Sequence, residues 1–420
     1  MGLSPRERVV DEQVRAQADT TVGNSDWPGW RGANRDGVLK WLPSQLPETA
    51  TPVWTARLPS LGHGGVAVAE GVCVVGSRDL ADTEDLFEGF DAETGERLWR
   101  QGYPAPGTLD YGNSPRATPL IHAGVVHAGV VYVQGALGHL SALDLATGDV
   151  LWERDLASDY DTPQLEWGIA GTPLLVQDTL VVQPGGRKAC LVGLDPATGE
   201  ERWQSPGGKP SHSSFVQWRR GERDLVVGFD AKNLGAWDIL TGEKVWSISP
   251  EYTGDFNVPT PVILGDQIFV ATENNGARLY EFNTEGTPSS LSDNSRVEDF
   301  APDSHTPVAI GNRIYGVHHG LHCFEATPGP RLKSLWEHSD PRLNEYASIV
   351  GVGQRLLVLT QACELILWED TGESVQELGH LDLKTDSSET LSAPAFVGTR
   401  CYARIGKELL CIELSETAVE

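Results

Sequence analysis

The chain has 420 residues, of which 40% are apolar, with 46 Gly and 26 Pro. Its 59 acidic residues outweigh 32 basic ones for a net charge of −27, which argues against a nucleic-acid or anionic-membrane partner, because a basic face could not easily dominate such a field. The length would suit two or three average domains, but a repeat architecture absorbs it in one body, and so much Gly and Pro fits many short strands joined by turns.

In chain order, Met1 to Ala18 carries Arg6, Glu7, Arg8, Asp11, Glu12 and Arg15 and lacks the apolar core of a secretory signal. Residues 1–25 are therefore expected to form a disordered or weakly helical leader, and the sequence as given reads as cytoplasmic. Residues 26–51 follow as a Trp-rich irregular segment, with Trp27, Trp30 and Trp41 set among turn formers, and are expected to pack on the main body. Val53–Leu58 then resembles a strand that normally follows a turn, although no turn precedes it.

The turn itself recurs downstream. Leu143-Asp144-Leu145-Ala146-Thr147-Gly148 ends one strand, reverses, and restarts a strand that delivers Trp152. Asp and Thr side chains bond nearby turn amides, and Gly takes the positive φ that other residues resist. The same pattern appears at Asp91, Gly95 and Trp99, at Asp195, Gly199 and Trp203, and at Asp238, Gly242 and Trp246. Degenerate copies fall at Asn283, Glu325 and Glu369, and spacings run from 42 residues (Asn283 to Glu325) to 53 (Asp91 to Asp144).

A period in the forties filled by short strands indicates propeller blades of four strands. The predicted fold is an all-β propeller of four-stranded antiparallel blades over residues 52–414, with a tail at 415–420. Eight blades fit, with seven as the alternative count. Three strands near the C-terminus lack a fourth, and Val53–Leu58 supplies it, so the ring closes without an open sheet edge. The Trp residues are expected to dock between neighbouring blades; copies 5 and 7 lack one, and copy 8 takes Trp54 from the other end of the chain. The uncharged stretch Ala117–Leu143 reads as hairpins rather than a membrane span, because His, Gln and Gly interrupt it.

These Asp-x-x-Thr-Gly-x-x-x-Trp turns, at Asp91, Asp144, Asp195 and Asp238, resemble the tryptophan-docking repeat of the pyrroloquinoline-quinone-type (PQQ-like) β-propeller family. Trp27 to Gly37 (Trp-Pro-Gly-Trp-Arg-Gly-Ala-Asn-Arg-Asp-Gly) also looks like the opening of many bacterial relatives. The family holds quinoprotein alcohol dehydrogenases and non-catalytic members such as the propeller lipoprotein of the outer-membrane barrel-assembly machinery. The resemblance thus implies a periplasmic location as the alternative to a cytoplasmic one. For a dehydrogenase it also implies PQQ, with adjacent cysteines and a Ca²⁺ site of Glu, Asn and Asp beside the quinone. The six cysteines here are scattered, none adjacent to another, so no cofactor is expected.

Long loops between outer and inner strands place function at the channel mouth. Candidate ligand-binding residues just before the inner strands are Asn113, Arg116, Trp167, His212, Asn257, His305 and Tyr346. They suit an anionic or planar ligand, or they cap the inner strands. No catalytic residue is assigned. No metal site is assigned either, His305, His318 and His319 being the weak candidates, since strand alternation separates neighbouring histidines. Cys401 and Cys411 flank a turn almost symmetrically; a disulfide and two reduced thiols both stay open. The expected function is a non-catalytic binding or scaffold module, monomeric, with a protein, peptide or small-ligand partner. The alternatives are a PQQ-dependent oxidoreductase and a peptide-capturing assembly factor.

Overall fold

The Asp–Thr–Gly turns close as their residue types require. In the computed structural model, which describes residues 24–123, 129–163, 165–283, 286–385 and 389–415, the Asp91 carboxylate accepts from the Glu93 and Thr94 amides at 3.0 and 2.8 Å and from the Thr94 hydroxyl at 2.9 Å. Asp144 repeats this with Ala146 and Thr147 at 3.0 and 2.9 Å. Gly148 sits at φ +76°, and a Cβ there would lie 2.7 Å from the Trp99 ring, so conformation and space both demand glycine.

Eight such units form eight four-stranded antiparallel sheets around an axis. Blade 1 comprises Ala67–Ala69, Val72–Arg78, Glu84–Asp91 and Arg97–Pro104, and blade 2 comprises Leu120–His122, Val130–Gln134, His139–Asp144 and Val150–Asp155. The inner strands of blades 3 to 8 begin at Leu174, Val216, Val262, Val308, Ala347 and Ala395. In blade 8, Pro52–Arg57 pairs with Glu408–Glu413, with Trp54 opposite Cys411. One end of the chain thus completes the blade begun by the other, and the count is eight. The stretch Ala117–Leu143 contributes blade-2 strands, and among the described residues no helix is long and apolar enough to cross a membrane.

The tryptophans bridge blades. The indole N–H groups of Trp99, Trp152, Trp203 and Trp54 donate to main-chain carbonyls of the next blade's turn, Leu145, Pro196, Ile239 and Ala92, at 2.8–3.0 Å. A partner absent from the sequence reading is a tyrosine on the second strand. Tyr132 and Trp152 donate to the same Pro196 carbonyl, and Tyr402 and Trp54 to the same Ala92 carbonyl.

Two expectations shift. In blade 7 Glu369 keeps the register position of the turn acid, opposite Arg355 as Asp144 is opposite Val130, but the bonding passes to the next residue: the buried Asp370 carboxylate accepts from Trp336 at 3.1 Å, Tyr315 at 2.7 Å and the Gly372 amide at 2.7 Å. All six cysteines are free and buried. Cys401 opposes Ile412 while Cys411 opposes Tyr402, so the two thiols leave the sheet on opposite faces and cannot meet across the hairpin.

The irregular segment from Asn24 to Ala50 lies across the channel. Asn24 pairs with Gly398 in blade 8, Trp27 with Val68 in blade 1, and Val38 with Gly351 in blade 7, while the Ile121 amide of blade 2 donates to the Pro28 carbonyl. Two buried arginines hold the crossing. Arg31 donates to the carbonyls of Asp36, Thr306, Pro307 and Ile349 at 2.8–3.0 Å. Arg35 donates to those of Thr172, Pro173 and Phe215. Burial lowers them to about 10 and about 9, so both remain cations at neutral pH, held by carbonyl dipoles, with the Asp36 carboxylate also favouring the Arg31 charge. The expected leader lies outside the described residues up to 23, and its last residues, Asn24 and Ser25, belong to this crossing.

Candidate functional site at the channel mouth

The crossing segment makes the floor of a small cup. At the end of the channel where inner strands begin, a cavity of about 200 Å³ is lined by Trp30, Arg31, His63, Arg116, His212 and Tyr346, together with small residues of the inner-strand starts. Six blades contribute a hydroxyl at matching positions: Thr118, Thr172, Ser214, Thr260, Thr306 and Ser348. These knit the blades together, for the Ser214 amide donates to Thr260 Oγ1 and the Thr260 amide to Thr306 Oγ1, both at 3.0 Å. A larger groove of about 620 Å³ lies off the axis beside Arg278 and Arg296, where the outer strand of blade 5 is only two residues long. That groove follows from the shortened strand, and Arg296 spans it to Glu251 at 3.0 Å.

Of the seven residues expected at the mouth, Arg116, His212 and Tyr346 line the cup. Trp167 stands beside it, edge-on to His212 at 5.1 Å and to Phe256 at 4.7 Å. The other three serve the backbone. Asn113 accepts from the Leu109 amide at 2.8 Å and donates to Asp82 at 2.7 Å. Asn257, at φ +51°, is buried with its amide nitrogen near the Ala231 carbonyl. His305 is buried behind Tyr346, with Nε2 bonded to the Glu345 carbonyl at 2.9 Å. The sequence reading missed Trp30 and Arg31, whose Trp-Arg-Gly context signalled an ordered segment. It also missed His63, which stands before the first inner strand as the other candidates stand before theirs.

The electrostatics of the cup run against those of the whole chain. Among the described residues no Asp, Glu or Lys lines it, in a protein of net charge −27. Arg116 is held by the carbonyls of Ser114, Asp110 and Gly112 at 2.6–2.8 Å, and burial lowers its pKa. Desolvation, then Arg116, brings His212 down to about 4; desolvation, Arg116 and Arg404 do the same for His63. Both imidazoles are neutral at pH 7, so the cup presents N–H and O–H donors around arginine cations.

A stability effect follows. Unfolding restores an ordinary imidazole value near 6.5. Between pH 6.5 and 4 the unfolded chain therefore binds more protons than the folded one, and stability falls as pH falls. Allowing for partial exposure, each imidazole is expected to contribute on the order of 1–2 kcal/mol to that loss. Urea unfolding at pH 7 and pH 4.5 should show a smaller drop in a His63→Gln/His212→Gln protein; equal drops would clear the imidazoles of responsibility.

The residues present do not suit a quinone held by Ca²⁺. Calcium takes six to eight oxygen ligands, carboxylates among them, and no described residue lining the cup carries a carboxylate. Its volume also lies below the usual range for organic ligand sites, roughly 300–1,000 Å³. The His318 and His319 rings lie 4.5 Å apart, but His322 Nε2 bonds the His318 carbonyl at 2.8 Å, His305 Nε2 bonds the Glu345 carbonyl, and among the described residues no group of three His, Cys, Asp or Glu that could hold a metal converges.

With this geometry in hand, similarity to known proteins becomes informative. The profile of a family described as outer membrane protein assembly factor BamB matches residues 90–335. The assembly factor BamB of Burkholderia pseudomallei is 28% identical over 297 residues, covering 66% of this chain and 71% of that protein. BamB from Moraxella catarrhalis superposes with a TM-score of 0.58 at 17% identity, covering 87% of this chain and all of that one. The quinohemoprotein alcohol dehydrogenase ADHIIG of Pseudomonas putida HK5 gives 0.65 at 14% identity, covering 97% of this chain and 82% of that one. At such identities these two structures establish only the shared fold. The profile match spans more than half of the sequence, and the chain belongs to the PQQ-like β-propeller family described by that outer membrane assembly factor.

Proposed function

We propose that the chain is a non-catalytic binding module that holds a protein partner on its long-loop face, at the periplasmic side of an outer membrane. The observation that carries this reading is the crossed channel. Arg31 and Arg35 fill the axis with chain, and the cup that remains is shallow and free of carboxylates. The rim around the cup is broad and partly apolar, with Leu61, Tyr111 and Phe256 exposed at 58%, 76% and 48%. Exposed aromatic residues such as Tyr111, beside the carbonyls that hold Arg116, and Phe256, against Trp167, are of the type enriched at protein-docking faces. The family resemblance to an outer membrane assembly factor supports the partner class and the compartment.

Two measurements test this. Incubation with PQQ and Ca²⁺ should give neither a stoichiometric cofactor absorbance nor dye-linked alcohol oxidation; either signal would move the protein to the dehydrogenases with which it shares its fold. A photo-crosslinker at Tyr111 or Phe256 should capture outer-membrane assembly proteins in intact cells, and one at Leu240, in a turn of the opposite face, should not. Equal capture from both faces would overturn the assignment of the docking face.

A further inference from the structure

We infer that the cup receives one carboxylate carried on a loop of the partner polypeptide, with Arg116 as its principal anchor. This deepens the docking reading above and rests on it.

The first reason is charge. In the cup, arginines meet a solvent-facing cavity with no acid among the described residues of its lining, while the chain as a whole carries −27. A partner with a diffuse positive face would satisfy the exterior but leave this cup unpaired. An acidic group entering it meets guanidinium and neutral N–H donors without having to displace a resident carboxylate, and charge-assisted bonds of this kind are roughly twice as strong as neutral ones.

The second reason is donor chemistry. A guanidinium has five N–H groups. Arg116 spends three on the carbonyls of Ser114, Asp110 and Gly112, which fix its plane and leave the Nε hydrogen and one Nη1 hydrogen for a ligand. His212 and His63 are neutral imidazoles, and each offers one N–H in the appropriate tautomer. With a guanidinium cation among neutral N–H and O–H groups, the set matches an anion rather than a cation or an apolar side chain.

The third reason is size and setting. About 200 Å³ accommodates the end of one side chain rather than a drug-sized ligand. Trp167 stands against His212 and Phe256, and exposed Tyr111 and Leu61 extend the apolar rim. A charged anchor at the centre of an aromatic collar, which excludes water from it, is how a few residues come to dominate an interface. A free dicarboxylate would use the anchor and forgo the collar.

The test uses the full chain and three probes: a fluorescent end-blocked peptide with a Gly-Phe-Asp-Phe-Gly loop, its Gly-Phe-Asn-Phe-Gly counterpart, and succinate. Anisotropy titration is expected to show the Asp peptide binding at least tenfold more tightly than the Asn peptide. Arg116→Ala should weaken the Asp peptide at least tenfold, Arg116→Lys should restore part of it, and neither should change Asn-peptide binding. His212→Gln serves as a second variant should Arg116→Ala lower the melting temperature, and is expected to weaken the Asp peptide severalfold. Succinate should compete only at concentrations at least a hundredfold higher than the Asp peptide. Equal binding of the two peptides, no detectable binding of the Asp peptide at 1 mM, or indifference to both substitutions would overturn the carboxylate assignment. Succinate binding as tightly as the Asp peptide would make the cup a small-anion site and overturn the partner-loop assignment. If the Tyr111 and Phe256 crosslinks persist unchanged in the Arg116→Ala protein, the carboxylate assignment fails while the docking face stands.

Discussion

Trp203→Ala is expected to cost about 3–5 kcal/mol of unfolding free energy, at the upper end of single-residue effects. Trp203 is 8% exposed, lies against Gly193 of its own blade and Gly242 of the next, and donates to the Ile239 carbonyl at 2.8 Å. The two glycines leave a slot that no neighbouring side chain can collapse into, so the truncated site stays a cavity. Trp152 has the same bonding geometry but is half-buried, and its alanine variant should cost less. Trp→Phe substitutions separate packing from the hydrogen bond. Trp203→Phe leaves the Ile239 carbonyl without its donor and should cost about 1–2 kcal/mol. Trp246→Phe should cost less, because the Trp246 indole N–H has no partner among the described residues and its ring packs instead on Phe282. Chemical denaturation of the four variants provides the ranking. Equal costs for the two Phe substitutions would show that the inter-blade hydrogen bond contributes nothing.

Arg31→Ala is expected to cost about 3 kcal/mol or more, although the residue belongs to no blade strand. Its guanidinium gathers carbonyls from blades 6 and 7 and from its own loop, and its removal leaves buried acceptors unpaired at about 1–3 kcal/mol each, less what water entering the channel recovers. Arg31→Lys should recover little: an ammonium is a compact point donor with three N–H groups, and the four carbonyls are spaced for a planar fork. Hydrogen exchange gives the spatial readout. The amides of Trp27 and Leu39, which bond Val68 and Gly351, should lose protection in Arg31→Ala, while blade amides such as Val192 keep it. Uniform loss of protection across the blades would mean that the crossing segment is part of the folding core rather than a strut laid over it.

The repeat was legible because its physics is local. An Asp–Thr–Gly turn needs those side chains whatever surrounds it, so Asp91, Asp144, Asp195 and Asp238 marked four blades, and strand spacing extended the count to eight. The ring closure was also readable, since a strand at 52–57 without its own hairpin had to find an edge. Where the turn degenerates, the local signal slips. In blade 7 Glu369 keeps the turn position, but the bonds form at Asp370, whose carboxylate Trp336 and Tyr315 reach across the blade gap.

The mouth was only partly legible. Position before an inner strand located Arg116, His212 and Tyr346, but the same rule named Asn113, Asn257 and His305, which bond backbone instead. A position in sequence does not say whether a polar group turns toward the axis or back into its own loop.

Sequence by itself therefore determined the blades and how the ring closes, because turn chemistry and strand periodicity act over a few residues, while the structure decided for eight blades over seven. Only the tertiary structure decided that the Trp-Arg-Gly segment crosses the channel. The carbonyls that bind Arg31 and Arg35 come from four different blades, brought to one axis by closure of the ring. The cup, its floor and its lack of carboxylates are products of that convergence, and no stretch of sequence contains them.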